Sequence, residues 1–397
     1  MAKTELDPRV RQLAFARAVN TMGLSLVMTF LGIYIVETRG YPAWLYGLVA
    51  LGSNLGQSAA NAWAGNLSDR IGRKPLITSS LFVRSVFIAL LGVQVLMEAP
   101  LWTLTANIVV TSALRGCYEP VASALVADLV TPDQRIAAFG MQRMGINLGW
   151  AIGPALGGVL TVFIPYGAVF FIAAAGVVIA GFVCMGIEDP IQVAPSAPPS
   201  GAIETSALVD GLRDPTLRWL LAGTFLAAVL YTQMFSTFSI YMTGVVGLTK
   251  ANVGLLYTVN GAGVLLLQYP ALALIERLGV RRTLPWSSLF EGVGFALIGL
   301  GTGFVGAMIA IVTITSAEVV FSPAHQTAIA DVADPLRRGR TYGVVGFVQM
   351  LGVAIAPLFG GILLDVVGEH HATMWLTIAT IGGLQALCFL AFVRRRP

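Results

Sequence analysis

Apolar residues form twelve long runs along the chain, separated by short polar or charged stretches. Each run is long enough to cross the ~30 Å hydrocarbon core of a bilayer as an α-helix. The pattern therefore predicts an all-α polytopic membrane protein with twelve transmembrane spans. These spans cover approximately residues 13–36, 44–66, 76–97, 101–127, 137–162, 166–187, 217–243, 251–275, 284–303, 305–330, 340–365 and 372–393.

The second half of the chain repeats a pattern of small residues from the first half. Gly149 and Pro154 recur 203 positions later as Gly352 and Pro357, with further glycines in the same register. Internal repeats of this kind are common in secondary transporters, whose substrate sites lie between the halves near the bilayer midplane. The repeat therefore predicts two pseudo-symmetric six-helix bundles.

The spans and the repeat divide the chain into three parts. Residues 1–187 form the predicted N-terminal six-helix bundle, and residues 216–397 form the C-terminal one. Residues 188–215 lie between them and are rich in Pro and Ser, which is typical of a flexible linker. The later part of this linker has the length of a short interfacial helix.

Composition and charge agree with a membrane location. Hydrophobic residues make up 56% of the chain and charged residues 11%, against about 25% charged residues in soluble domains. Of the 24 basic residues, four lie inside spans, and only Arg39 and Lys250 lie in loops on one side of the membrane. The positive-inside rule therefore places both termini and the linker in the cytoplasm of a cell (inner) membrane. The net charge of +4 comes from these loops and requires no nucleic-acid partner.

Several functions are excluded by what the sequence lacks. The three cysteines lie in spans, so no disulfide framework or CxxC metal site is expected. Neither a GxSxG nor an HExxH motif occurs, so an intramembrane enzyme is not expected. The absence of a Walker loop excludes ATP as the energy source. We expect a monomer with no cofactor and no metal, which works on a small-molecule substrate by using an ion or substrate gradient.

The turn between spans 2 and 3 carries a compact run of charge, Gly65-Asn-Leu-Ser-Asp69-Arg70-Ile-Gly72-Arg73-Lys74. This run closely resembles the loop motif of the major facilitator superfamily. A degraded copy that contains Glu276 and Arg277 lies between spans 8 and 9. The resemblance covers essentially the whole chain and implies the twelve-helix, two-bundle fold of that superfamily.

The resemblance also implies a latch between the halves on the cytoplasmic side. In the family, the acid and the arginine of this loop hold the halves together when the transporter opens outward. Carried over to this chain, Asp69 faces the positive N-terminal end of span 11 near Gly339–Arg340, and Arg73 pairs with Asp128. The alternative is that these charges only fix the topology. The candidate latch residues are Gly65, Asp69, Arg70, Gly72, Arg73, Asp128, Glu276, Arg277 and Asp331.

Span 5 contains the pattern G-x8-G-x3-G-P-x2-G-G. Its residues are Gly140, Gly149, Gly153, Pro154, Gly157 and Gly158. The pattern is similar to that of the twelve-helix drug/proton antiporter group. Small residues let helices approach closely, and proline removes a backbone donor.

The resemblance to the antiporter group implies a proton-coupled exporter of small amphipathic compounds or drugs that works by alternating access. Three alternatives remain open. The first is uptake or facilitated passage of a metabolite such as a sugar or peptide, and the second is the movement of lipids or lysolipids. A membrane sensor that has lost transport is the alternative from a different class of function.

Span 4 places ionisable side chains on one helical face. Ser112, Arg115, Glu119 and Ser123 are three or four residues apart. Ionisable groups in hydrocarbon are expensive unless they face a cavity or a partner. Glu318 in span 10 is equivalent to Arg115, so Glu119, Glu318 and Arg115 are candidates for proton coupling. The alternative is that Arg115 pairs with Glu119 one turn away and only stabilises the helix.

Two features depart from the family pattern. The family's arginine in span 4 lies twelve residues before the proline that here is Pro120, and that position is Ile108. Arg115 lies two turns further along the same face. Many antiporters of this group carry an acid in span 1, where this chain has Arg17 and Asn20. Proton coupling therefore requires a different carboxylate.

Other polar residues in the spans are candidates for the walls of a substrate cavity. In this superfamily, spans 1, 4, 7 and 10 line the cavity, and spans 2, 5, 8 and 11 lie at the interface. The candidates are Arg17, Asn20, Asn54, Gln57, Asn147, Trp150, Tyr231, Gln233, Asn260, Gln268 and Gln349. For each of them, helix packing or an interhelical hydrogen bond is the alternative role. Arg84 and Glu291 also lie in spans, and the sequence assigns them no role. For His325, close to Pro323 in span 10, the alternatives are a structural role and a proton relay.

Overall fold

The computed structural model describes residues 6–131, 134–188, 213–333, 338–367 and 371–395. The predicted central linker lies almost entirely outside these ranges. All regular elements within them are helices.

Twelve long helices follow one another, as the apolar runs predict. They are α1 (Pro8–Ile33), α2 (Ala43–Ile71), α3 (Arg73–Leu96), α4 (Leu101–Asp128), α5 (Arg135–Phe163), α6 (Tyr166–Met185), α7 (Pro215–Phe235), α8 (Lys250–Leu278), α9 (Val280–Leu300), α10 (Gly303–Val332), α11 (Arg338–Val367) and α12 (His371–Arg394). A π-helical turn at Tyr34–Thr38 extends α1, and a short helix at Thr237–Gly244 follows α7. The prediction of a twelve-helix, all-α fold is confirmed.

Ten helices in the described ranges are long and apolar enough to cross a membrane. The other two long helices are α2, with Asn54 and Gln57, and α4, with Arg115 and Glu119. Polar side chains in a spanning helix are tolerated where they face protein or water instead of lipid. The polar faces of α2 and α4 therefore need partners inside the protein.

The turns that carry the loop motif are shorter than the sequence indicated. We predicted that span 2 ends near residue 66, but α2 continues to Ile71. The turn is reduced to Gly72, whose φ is 94°, and Gly279 repeats this turn between α8 and α9 with a φ of 75°. Only glycine adopts such angles readily. The charges before Gly72 therefore lie in the last turns of a helix, because one residue is enough to reverse the chain.

Contacts between Cα atoms divide the chain into two units. The first contains the described residues within Met1–Leu31, Gly52–Ala202 and Val253–Thr258. In this unit α3 packs against α4 and α6. Because α3 lies between α4 and α6, it covers one face of each of these two helices.

The second unit contains the described residues within Gly32–Leu51, Ile203–Asn252 and Val259–Pro397. In this unit α9 packs against α10 and α12, and α7 packs against α11 and α12. The place of α9 between α10 and α12 corresponds to that of α3 between α4 and α6. The helix order within each unit therefore agrees with the duplication in the sequence.

In the first unit, α5 packs against α1 through glycines four residues apart. We call Gly145, Gly149, Gly153 and Gly157 the glycine row. A Cβ atom added at Gly149 would lie 2.8 Å from the backbone oxygen of Ala18, and one at Gly153 or Gly157 would also clash with α1. Small residues allow two helices to approach this closely. Gly145 belongs to the row although the sequence motif does not include it.

In the second unit, α11 uses the equivalent positions against α7 and the short helix after it. A Cβ atom at Gly352 would lie 2.7 Å from the backbone oxygen of Phe225, and one at Gly360 would meet Gln233. Gln233 Nε2 also donates to the backbone oxygen of Ala356 at 2.8 Å. The glycine pattern therefore has the same packing role in both copies of the repeat.

Candidate functional site

Three arginines and one glutamate lie among α1, α3 and α4 in the first unit. Arg17 and Arg84 are buried, whereas Arg115 and Glu119 are half-buried. Arg17 Nη2 donates to Glu119 Oε2 at 2.5 Å. Arg115 lies one turn before Glu119, with its Nε 3.9 Å from Oε1. Arg84 is only 1% exposed and donates to Asn20 Oδ1 at 2.7 Å. We call this group the arginine cluster: Arg17, Arg84, Arg115 and Glu119.

The arginine cluster holds more positive than negative charge. It contains three guanidinium groups and one carboxylate, and the Nε atoms of all three arginines have no hydrogen-bond partner among the described residues. Buried donors without partners cost free energy unless water or a ligand satisfies them. The arginine cluster is therefore a candidate binding site for an anionic group.

The second unit holds glutamates instead of arginines. Glu318 in α10 accepts hydrogen bonds from Tyr231 Oη at 3.2 Å and from Asn260 Nδ2 at 3.1 Å. Asn260 also donates to Thr315 Oγ1 at 2.9 Å, which orients its amide. Glu291 in α9 is 2% exposed and lies within electrostatic range of Glu318. We call this group the glutamate cluster: Glu291, Glu318, Tyr231 and Asn260.

The two clusters use equivalent positions of the repeat with opposite charge. Arg115 and Glu318 correspond at the offset of 203. Arg84 and Glu291 each lie twelve residues after the positive-φ glycine that precedes α3 or α9. The sequence pattern had related only Arg115 to Glu318. Aligning the starts of α3 and α9 also relates Arg84 to Glu291. Two inversions of charge in a duplicated scaffold indicate that the halves have different chemical tasks.

One carboxylate oxygen of Glu291 is unsatisfied. Its Oε2 has no hydrogen-bond partner in the described part of the chain. The neighbouring Gln385 donates its own amide to Ser288 Oγ at 3.0 Å. A buried charged carboxylate requires a positive partner or several donors. Protonation of either carboxylate would remove the repulsion between the charges of Glu291 and Glu318.

Several predicted cavity residues make interhelical hydrogen bonds. Gln233 is fully buried and bonded to α11, while the adjacent Tyr231 points to Glu318. Asn20 is buried and holds Arg84. The alternative that we gave for these residues, an interhelical hydrogen bond, therefore describes Gln233 and Asn20. Among the other candidates, Gln349 is exposed. Five more are half-buried, namely Asn54, Gln57, Asn147, Trp150 and Gln268.

His325 is packed among aromatic rings of the second unit. Its Nε2 bonds with Thr224 Oγ1 at 2.7 Å. Its ring stacks on Phe321 and meets Phe389 edge-on. One hydrogen bond and two aromatic neighbours are typical of a structural histidine and favour that role over a proton relay.

Arg73 and Asp128 form an ion pair between α3 and α4. The distance from Arg73 Nε to Asp128 Oδ2 is 2.5 Å, and this is the pairing that the family resemblance implied. The side chains of Asp69 and of residues 339–340 lie outside the described part of the structure. Glu276 is exposed at the end of α8. The latch role of these residues remains a prediction.

A duplicated set of long apolar helices, with buried charges in each copy, is the architecture of a secondary transporter. The sequence profile of the Major Facilitator Superfamily matches residues 13–250 and 220–397, and the chain therefore belongs to this superfamily. This confirms the family that the loop and glycine motifs indicated.

Curated relatives match over nearly their full length. The chain is 26% identical to the uncharacterized MFS-type transporter YqjV of Bacillus subtilis (strain 168), over 94% of this chain and 91% of the relative. It is 25% identical to the multidrug resistance protein MdtH of Aeromonas salmonicida (strain A449), over 95% of this chain and 93% of the relative.

Solved structures share the fold. The nucleoside transporter NupG superposes with a TM-score of 0.79 at 13% identity, over 98% of this chain and 100% of that chain. A bacterial homolog of the human lysosomal transporter Spinster superposes with a TM-score of 0.75 at 15% identity, over 98% and 96%. The relatives and the structural neighbours are transporters, and this chain is a multi-pass membrane transporter, not an enzyme.

Proposed function

We propose that this chain exports small amphipathic compounds in exchange for protons by alternating access, with the glutamate cluster as the proton site. The observation that carries the proposal is the buried Glu291 within electrostatic range of the half-buried Glu318. Tyr231 supports it, because a phenol can donate to a carboxylate and accept from a carboxylic acid. The hydrogen bond between Tyr231 and Glu318 therefore survives proton uptake and release.

Glu119, the other candidate acid, suits a different task. It lies 2.5 Å from Arg17 and one turn from Arg115. Protonating Glu119 would leave both guanidinium groups without a counter-charge, which is costly at a buried site. We therefore assign Glu119 to holding the arginines in place.

Within this proposal, Arg115 binds the substrate. Its side chain is 31% exposed, whereas that of Arg17 is 9% exposed. A guanidinium group that reaches open space can meet an anionic group on a substrate. We infer that the preferred substrates join an apolar body to a negatively charged or zwitterionic group.

Two further observations support export over uptake. Gly149, Gly153 and Gly157 of the glycine row belong to the pattern that resembles the antiporter group, and a curated relative is named as a multidrug resistance protein. We place the chain in the cell membrane with both termini in the cytoplasm, because the basic loops lie on that side. It works as a monomer and uses the proton gradient without a cofactor.

The test is dye transport in proteoliposomes under an imposed pH gradient. A lipophilic anionic dye and a lipophilic cationic dye are compared in the wild type, Glu318→Gln and Glu291→Gln. Glu98→Gln is the matched control, because Glu98 lies exposed in the turn between α3 and α4. We expect gradient-driven flux of the anionic dye that both cluster variants abolish and the control variant retains.

The other outcomes separate the alternatives. Flux that ignores the pH gradient and survives Glu318→Gln contradicts proton coupling and favours facilitated transport of a metabolite. Flux of the cationic dye alone contradicts the role of Arg115. Folded protein that moves neither dye nor a fluorescent lysolipid favours a sensor.

A further inference from the structure

An apolar groove lies among α8, α9 and α10 in the second unit, and neither Glu291 nor Glu318 lines it. Its volume is about 560 Å³, which is within the size range of ligand sites. Trp286, Phe290 and Val293 line it from α9, and they are 69%, 48% and 43% exposed. Such exposure of large apolar side chains in a membrane protein means that the groove opens toward lipid.

The groove has one charged residue in its lining, at one end. Arg282 lies two residues after the start of α9 at Val280. From Arg282 to Val293 the helix rises about 16 Å, close to half of the ~30 Å hydrocarbon core. The groove therefore spans one leaflet, with its charge at the surface where the basic loops lie.

Beyond Arg282 the groove presents no free polar group among its described lining residues. The hydroxyl of Ser287 donates to the backbone oxygen of Leu284 at 3.1 Å, and that of Ser316 donates to Val312 at 2.8 Å. Because these hydroxyl donors are already satisfied within their own helices, they require no hydrogen bond from a ligand. A hydrocarbon chain fits such a wall better than a polar solute does.

The repeat shows that the groove is particular to the second half. Aligning α3 with α9 at their preceding glycines places Pro75 opposite Arg282 and Ser79 opposite Trp286. Neither the cation nor the indole is present at these two positions of the first half. Shared packing of the two halves therefore does not explain these residues.

We propose that this groove retains one acyl chain of an anionic phospholipid from the cytoplasmic leaflet, with its phosphate against Arg282. Basic residues at the mouth of a groove between spanning helices are suited to anionic headgroups. Trp286 lies one turn deeper, where an indole packs against the first part of the chain. This proposal does not rest on the transport function proposed above.

The test is native mass spectrometry of the purified full-length chain. The protein is delipidated and titrated with phosphatidylglycerol or phosphatidylethanolamine that carry the same acyl chains. We expect the wild type to retain phosphatidylglycerol preferentially. Arg282→Gln should weaken that binding about tenfold, and Arg394→Gln, at an exposed arginine in the last turn of α12, should leave it unchanged.

Further variants keep the proposal open to contradiction. Trp286→Ala should weaken the binding of both lipids, because it removes the contact between the indole and the acyl chain. If Arg282→Gln does not fold, Arg282→Lys should show intermediate affinity for phosphatidylglycerol. Equal binding of the two lipids to the wild type, or equal losses in Arg282→Gln and Arg394→Gln, would overturn the proposal.

Discussion

At the scale of single residues, the ion pair between Arg17 and Glu119 joins α1 to α4. Arg17 is 7% exposed, and Glu119 also has Arg115 nearby. Because 102 positions separate the partners, helical spacing could not reveal their contact. Spacing did show that Arg115 and Glu119 share a face, and the structure places them 3.9 Å apart.

We expect Glu119→Gln to destabilise the protein by about 3 kcal/mol, because removing one partner leaves buried positive charge uncompensated. The measurement is thermal unfolding of the purified protein in detergent. The double variant Arg17→Gln/Glu119→Gln is the control and should recover part of the loss, since fewer charges are then unpaired. Wild-type stability of Glu119→Gln would contradict a structural role for the pair.

The acids differ in their surroundings, and only the tertiary structure shows it. Glu119 is surrounded by arginines, whereas Glu318 meets a phenol and an amide. The sequence offered both as proton-coupling candidates on equal terms. Glu291 had no assigned role there, because the fold family places α9 at the periphery. Its burial depends on the packing of α9 against α10 and α12.

At the scale of elements, the glycine row sets how closely α1 and α5 approach. Its members recur every four residues, so they lie on one face of α5. The motif read from the sequence also includes Gly140, but a Cβ atom there would meet nothing within 4 Å. The sequence pattern therefore predicted that this face of α5 makes a close contact. Only the structure shows which glycines take part in it.

We expect Gly149→Ala to lower stability by about 1–3 kcal/mol, because the new methyl group would press on the α1 backbone. Gly140→Ala is the matched control in the same helix. It should leave stability unchanged or raise it by up to about 1 kcal/mol, since alanine favours the helix over glycine. Thermal unfolding of both variants decides the matter, and equal effects would mean that α1 and α5 adjust freely.

Helix ends also depend on distant residues. The backbone N–H groups of Ala43 and Trp44, at the start of α2, donate to Asp365 at 3.0 and 2.8 Å. This carboxylate satisfies donors that every helix start leaves unpaired. A cap from a residue more than 300 positions away has no local signal, so sequence patterns alone do not find it. The start of α7 is different, because Asp214 caps it locally.

At the scale of the whole molecule, the duplication divides the charges between two units. The correspondence of Arg84 with Glu291 could have been read from the loop motifs. The motif residues Arg70 and Arg277 are separated by the same number of positions as Arg84 and Glu291. The arginine cluster of the first unit is therefore rich in positive charge, and the glutamate cluster of the second unit is rich in carboxyl groups. The proposed function assigns the substrate's charged group to the first cluster and the proton to the second.

Topology is a prediction at this scale. With Cys117, Cys184 and Cys388 replaced by alanine, we expect a membrane-impermeant maleimide to label Glu98→Cys in intact cells. Arg395 is exposed near the C-terminal end and, when changed to cysteine, should react only in everted vesicles. The physical reason is the strong excess of basic residues in the loops on one side. Labelling of Arg395→Cys in intact cells would reverse the orientation.

The sequence by itself determined the twelve helices, the duplication and the family. Hydrophobic runs and small-residue patterns are local and periodic, and the bilayer leaves a spanning chain little choice but the helix. Only the tertiary structure decided which partner each charged side chain in the spans meets: Arg17 meets Glu119, Arg84 meets Asn20, and Glu318 meets Tyr231 and Asn260. These contacts join different helices, and helix packing, which no local pattern records, sets their geometry.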